Sequence, residues 1–186
     1  MRKHPGQLVY APTDLVRYLA SPFASWMDRY YLGNPNAVTP DKETEDEKLI
    51  AQTGDQHERA VLDDFKLSVA HLVVIPKEDP VVARDRTLSA INSKTPIIYQ
   101  AALGCGRFAG FADFLTLDAS GRYQVWDTKL ARSPKPYYAI QLCCYHYSDI
   151  FHLRPMRRSI SVSGVIEWRW AGDNRTADNS RSKDYC

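Results

Sequence analysis

A segment of eight residues, Tyr123 to Leu130, carries an acid and a lysine two positions apart. If YQVWDTKL is a strand, its alternation places Asp127 and Lys129 on one face, about 7 Å apart at their backbones. Fourteen residues before Asp127, the β-prone run GFADFL carries a second acid, Asp113. Two acids and a lysine on adjacent strands are the groups that magnesium-dependent cleavage of a phosphodiester requires.

These charged residues could also form an ordinary surface ion pair on an edge strand. The apolar residues Val125 and Trp126 beside Asp127 instead indicate a strand that is largely buried. A buried carboxylate without a partner is costly, so it neutralises or finds a cation. Asp113 has the same problem in its aromatic run. Because a bound hard cation would satisfy both acids, the pattern favours a metal site over a structural pair.

A long predicted helix before these strands carries a histidine on its apolar face. His57 follows Ile50 and Gly54, and precedes Val61 and Phe65, at spacings of 4, 3, 4 and 4 residues. A histidine on such a face is ordinarily a core residue with satisfied hydrogen bonds. Beside two carboxylates it could instead be an additional metal ligand.

A predicted helix after the strands carries a polar stripe at a spacing of four residues. Tyr137, Gln141 and Tyr145 form the stripe, next to an apolar face. The simpler interpretation is an aromatic-rich helix that packs on the core. The functional interpretation places an amide and a phenol where they can hold a phosphate or a base.

The elements that must position these residues alternate between helices and strands. The pattern predicts helices over 15–19, 23–32, 43–68, 81–92 and 137–151, and strands over 72–75, 96–103, 107–117, 123–130 and 160–170. Thr13 or Asp14 can cap the first helix, Ser21 can cap the second, and residues 118–121 predict a hairpin. This order predicts an α/β fold with a mixed central sheet flanked by helices.

Composition sets broad limits on the class of protein. A chain of 186 residues, with 44% hydrophobic and 25% charged residues, is typical of one soluble globular domain. The net charge of +2 is too small to argue for nucleic-acid binding by itself. No apolar stretch approaches the roughly 18–20 residues that span a bilayer, and the N-terminus lacks a signal-peptide core. The sequence therefore predicts a cytoplasmic protein without membrane contact, ending in a disordered polar tail over 171–186.

Taken together and in order, these motifs resemble the RecB-type branch of the PD-(D/E)XK nuclease superfamily. That branch has a helix histidine, a G-x-x-D strand, a D-x-K strand and a Q-x-x-x-Y helix, which match His57, GFAD at 110–113, DTK at 127–129 and QLCCY at 141–145. The phrase VWDTKLAR at 125–132 is similar to a bacterial group of RecB-like nucleases in particular. The resemblance implies a restriction-endonuclease-like core within a nuclease domain over 1–170, with N-terminal helices at 13–33 and a core at 43–151.

The resemblance also implies roles for the residues of the acid strands. Asp113 and Asp127 would hold Mg²⁺ or Mn²⁺, with the Thr128 carbonyl and His57 as the remaining protein ligands. Lys129 would orient or deprotonate the attacking water and offset charge on the scissile phosphate.

The same resemblance implies DNA as the partner, with Gln141 and Tyr145 steadying a DNA end near the metal. The implied activity is exonuclease-like, on DNA ends or single strands in repair, recombination or defence, and a helicase in cis or in trans is an implied partner. Several relatives carry an iron–sulfur cluster. Here Ser21 stands where the first cluster cysteine is expected, and only Cys186 follows the last motif, so no cluster is expected.

Two other hypotheses stay open at this level. Relatives in this branch usually continue well beyond the last motif, so the chain could be a truncated member that serves as an inactive DNA-binding or scaffolding module. It could also hydrolyse a smaller phosphate ester, although no Gly-rich phosphate loop is present for nucleoside triphosphates.

Overall fold

A mixed β-sheet forms the centre of the fold. The computed structural model of the chain describes residues 1–4, 7–129, 135–146, 159–162 and 166–169. Within these residues the central sheet has four strands, namely β3 (Leu72–Val74), β4 (Ile97–Cys105), β5 (Phe108–Leu117) and β6 (Tyr123–Trp126). They lie in the order β3-β4-β5-β6, with β3 parallel to β4 and the other pairs antiparallel. The predicted mixed α/β sheet flanked by helices is confirmed.

The helices in the described part of the chain lie close to the predicted ranges. They are α1 (Pro12–Ala20), α2 (Pro22–Gly33), α3 (Glu45–Ser68), α4 (Pro80–Asn92) and α5 (Pro136–His146). Ser21 caps α2 as predicted, and Thr44 with Glu47 forms a capping box on α3. The cap predicted for α1 is wrong: its N-cap is Ala11, and Asp14 accepts the Ala11 N–H from inside the helix.

Two apolar clusters hold helices on opposite faces of the sheet. One joins β4, β5 and β6 to α4 and α5, through residues such as Ile91, Ile98 and Leu142. The other joins Ile97 and Phe114 of the sheet to Leu62 of α3. Because Ile97 and Ile98 are neighbours on β4 and face opposite clusters, the sheet lies between two helical layers.

The two ends of the chain differ from the sequence-based expectations. An N-terminal antiparallel pair of strands, β1 (Arg2–His4) and β2 (Gln7–Val9), was not predicted, because strands of three residues are too short to show an alternation. The single strand predicted over 160–170 is instead two antiparallel strands, β7 (Ser159–Val162) and β8 (Ile166–Arg169). The predicted tail over 171–186 and the predicted helix end at 147–151 lie outside the described residues. No helix in the described part of the chain is long and apolar enough to cross a membrane.

The apolar stripe predicted on α3 does not face the sheet along its whole length. Ile50 is 70% exposed, whereas Leu62 is buried and Val61 and Phe65 pack against Phe114 and its neighbours. The N-terminal half of α3 therefore extends beyond the sheet, and the helix joins the core only from the region of His57 onward.

Candidate functional site

The two acids singled out in the sequence face each other across adjacent strands. The last ladder pair of β5 and β6 is Phe114 with Trp126. One further step in the same register places Asp113 opposite Asp127. Their carboxyl groups lie within hydrogen-bonding reach of each other. The juxtaposition predicted for these two acids is present in the structure.

The predicted strand over 123–130 is too long, and the acid pair explains why. Strand β6 ends at Trp126, so Asp127, Thr128 and Lys129 follow it in irregular backbone. The Thr128 N–H donates to Asp113 Oδ2 at 2.6 Å, and its hydroxyl donates to the same oxygen at 2.8 Å. Because the Thr128 N–H donates to this carboxylate, it does not form a backbone hydrogen bond between the strands, and the ladder ends before it. The two hydrogen bonds of Thr128 orient Asp113 instead.

Asp127 is deeply buried and is held by a lysine and an amide. Its side chain is 2% exposed, and Oδ2 lies 2.6 Å from Lys129 Nζ, whose own side chain is 26% exposed. Gln141 Nε2, on α5, donates to Oδ1 at 3.4 Å. Oδ2 receives no well-aligned hydrogen bond from the described residues, so its contact with Lys129 is an ion pair only.

Burial raises the pKa of both carboxyl groups. Burial, and then the charge of Asp127, raises the pKa of Asp113 to about 6, against the hydrogen bonds from Thr128 and the charge of Lys129. Burial likewise raises the pKa of Asp127, and the ammonium of Lys129 opposes that rise. Two like charges in one buried place favour a shared proton or a bound cation.

Tyr145 supports this arrangement from behind the strand. Its ring is 5% exposed, and its hydroxyl donates to the carbonyl of Phe111 at 2.7 Å. The α5 helix approaches β5 so closely that a Cβ on Gly110 would lie 3.2 Å from Tyr145 Cε1 and 3.0 Å from Pro12 Cδ. This placement anchors α5, which carries Gln141, and a direct contact of Tyr145 with DNA stays a prediction.

A third acid near the pair was missed in the sequence. Glu58, on α3, accepts a hydrogen bond from Gln100 Nε2 and another from the Tyr99 hydroxyl. Burial, followed by the hydrogen bond and charge of Glu58, raises the pKa of Tyr99 to about 12. The charge of Glu58 also raises the pKa of Asp127, so the acid acts on the site. The sequence signal for Glu58 was its position directly after His57. The spacing of the apolar residues, however, pointed to the histidine as the candidate ligand.

His57 itself is half-buried on α3. Within the described residues, no three side chains of His, Cys, Asp or Glu lie close enough together to hold a metal ion. Metal ligation by His57 and by the Thr128 carbonyl therefore stays a prediction. Cys186 lies outside the described residues, and the expectation of no iron–sulfur cluster likewise stays a prediction.

The residues around Asp113 and Asp127 fit a hard divalent cation. Magnesium sites in proteins use one or two carboxylates and keep several waters, which a pair of acids supplies without a third direct ligand. The buried oxygen Oδ2 of Asp127 has an open acceptor position beyond its ion pair. In addition, the side chains of Asp113, Asp127, Glu58 and Lys129 sum to a formal charge of −2, which one divalent cation balances.

The site thus comprises two facing carboxylates, a lysine, a supporting amide and a nearby third acid. These groups come from β5, the segment after β6, α5 and α3. Comparison of the chain with family models, with curated proteins and with solved structures gives no match. Its function is therefore inferred from the arrangement of these side chains.

Proposed function

We propose that this protein is a metal-dependent nuclease that hydrolyses phosphodiester bonds in DNA. The observation that carries the proposal is the facing pair of half-buried Asp113 and buried Asp127, with Lys129 Nζ at 2.6 Å from Asp127 Oδ2. An ion pair alone needs one acid and one base. The second acid, Asp113, has a raised pKa because of burial and the charge of Asp127, and a bound cation would offset that cost.

The chain's own residues would hold the reacting groups in place. Thr128 fixes Asp113 through two hydrogen bonds, and Gln141 fixes Asp127. Lys129 is more exposed than its partner Asp127, at 26% against 2%, so its Nζ can donate to the attacking water and to a phosphate oxygen. Its positive charge offsets the negative charge that develops on the phosphate.

Asp113 and Asp127 would hold Mg²⁺ or Mn²⁺. When bound, such an ion lowers the pKa of a coordinated water and neutralises phosphate oxygens. DNA is proposed as the substrate on the strength of the motif resemblance, and so is the preference for ends or single strands. A helicase partner, and a role in repair, recombination or defence, rest on the same resemblance.

Cleavage of labelled DNA tests this function. End-labelled linear DNA, the same sequence as a covalently closed circle, and a single-stranded oligonucleotide are each incubated with Mg²⁺, Mn²⁺ or EDTA. We expect cleavage of the linear and single-stranded DNA with either metal, no cleavage in EDTA, and little cleavage of the circle. Salt-dependent binding without cleavage in either metal would instead identify an inactive DNA-binding module.

A further inference from the structure

Strand β4 contains a backbone distortion directly opposite one of the two acids. Gln100 lies in the middle of this strand with a φ of 55°, in the left-handed region that non-glycine residues rarely adopt. The ladder with β5 pairs Tyr99 with Phe114 and Ala101 with Ala112, and it leaves out the position between them. In that register Gln100 stands opposite Asp113. A buried residue in this conformation must be held there by its surroundings.

The distortion changes the direction of the Gln100 side chain. Consecutive residues of a regular strand point to opposite faces. Tyr99 and Gln100 are consecutive, and yet both donate hydrogen bonds to the carboxylate of Glu58 on α3. The left-handed backbone at Gln100 therefore turns its amide to the α3 face, where a regular strand would have directed it away.

The result is an acid held at a defined place beside the acid pair. Gln100 is 7% exposed, so its amide is committed to the interior rather than to solvent. Glu58 influences Asp127 electrostatically but belongs to no group of three ligands within the described residues. Because Gln100 stands opposite Asp113 in the ladder and its amide bonds to Glu58, this carboxylate lies on the side of the acid pair where groups around the direct ligands of a metal act through water.

We propose that Gln100 is a positioning residue whose left-handed backbone turns its amide to Glu58 and so fixes that carboxylate as a water-mediated partner of the cation held by Asp113 and Asp127. This inference rests on the proposed function. The distortion in β4 then has a purpose, because a regular strand would withdraw the Gln100 amide and leave Glu58, among the described contacts, with the Tyr99 hydroxyl.

Calorimetric titration of Mn²⁺ into the whole chain, without DNA, tests this role separately from catalysis. Gln100→Gly keeps the left-handed backbone and removes the amide, and we expect it to weaken Mn²⁺ binding about tenfold. Glu58→Gln should weaken binding by a similar factor. The double variant should bind as Glu58→Gln alone does, since the amide acts only through that carboxylate. Gln124→Asn is the control: it shortens a half-buried glutamine on β6, and it should bind Mn²⁺ with the affinity of the wild type.

Gln100→Asn provides a second variant if the glycine variant fails to fold. Asparagine tolerates the left-handed region, but its shorter side chain does not reach Glu58, so the same loss of affinity is expected. Unchanged Mn²⁺ affinity in the folded Gln100 variant, beside a wild type that binds Mn²⁺ and cleaves DNA, would overturn this inference and leave the proposed function standing. A wild type that neither binds Mn²⁺ nor cleaves DNA would overturn both.

Discussion

Asp113 lies in surroundings unlike those of an ordinary surface acid. Its pKa is raised to about 6, first by burial and then by the charge of Asp127. Because the folded-state pKa exceeds the ordinary value near 4, folding favours the protonated acid. This contribution to stability is fully present below about pH 4 and is lost as the pH rises from about 4 to 6.

Asp113→Asn should therefore stabilise the metal-free protein at neutral pH. Asparagine keeps an oxygen for the two donors of Thr128 and carries no charge. We expect a gain of about 2 kcal/mol in the free energy of unfolding at pH 7 in EDTA, which disappears below pH 4. Urea denaturation at several pH values measures this difference. The gain should reverse when Mn²⁺ is added, because the variant loses half of the acid pair.

Asp118 gives a matched control of opposite sign. Hydrogen bonding to Ser120 lowers the pKa of this exposed hairpin acid, so Asp118→Asn should be less stable than the wild type at pH 7. That contribution is present above the ordinary pKa and is lost as the pH falls. An Asp113→Asn variant that is less stable than the wild type at pH 7 in EDTA would show that the charge on Asp113 does not destabilise the folded protein, and would contradict its raised pKa.

Lys129 is expected to serve the reaction rather than the binding of the metal. Lys129→Ala removes the ammonium that lies 2.6 Å from Asp127, and we expect single-turnover cleavage to fall by about 100-fold or more. Mn²⁺ binding should persist, because the carboxylates remain and lose a competing cation. Lys66→Ala, which removes an exposed ion pair with Asp63 on α3, should leave both measurements unchanged. Loss of Mn²⁺ binding in Lys129→Ala would place the lysine in a structural role.

At the scale of elements, the site depends on the close approach of α5 to β5. A Cβ on Gly110 would meet Pro12 Cδ at 3.0 Å and Tyr145 Cε1 at 3.2 Å. Gly110→Ala should therefore lower the free energy of unfolding by about 1–3 kcal/mol, as overpacking does. It should also reduce cleavage, because α5 carries Gln141 to Asp127.

Gly54 on α3 is the control for this substitution. It has no neighbour within 4 Å of a built Cβ, so Gly54→Ala should stabilise the helix by up to about 1 kcal/mol. Urea denaturation of the two variants side by side gives both values. Equal effects of the two substitutions would show that the contact between α5 and β5 is looser than the structure describes.

The sequence predicts elements well where periodicity is strong and poorly where tertiary contacts decide. The alternation around Asp127 and the turn after Asp118 locate β5, β6 and their hairpin, and hence the facing acids. The end of β6 at Trp126 depends on a hydrogen bond from Thr128 to Asp113, which no local pattern reveals. The distortion at Gln100 is hidden for the same reason, since IIYQAAL is a continuous β-prone run.

At the scale of the whole molecule, the site lies where three layers meet. The sheet provides Asp113, α5 provides Gln141, and α3 on the opposite face provides Glu58. The mixed sheet was predictable because strands and helices alternate along the chain. The part played by Glu58 was not predictable, because its hydrogen bonds with Gln100 and Tyr99 depend on how α3 docks on the sheet.

The central claim is that Asp113, Asp127 and Lys129 form a metal-dependent site that cleaves DNA. The most direct measurement compares wild type, Asp127→Asn and Asp63→Asn on end-labelled linear DNA in Mn²⁺ and in EDTA. Asp63 is an exposed acid on α3, 69% accessible at its side chain, and controls for the loss of one charge. We predict that wild type and Asp63→Asn cleave in Mn²⁺ and that Asp127→Asn does not. Equal cleavage by Asp127→Asn, or cleavage by the wild type in EDTA, would contradict the account.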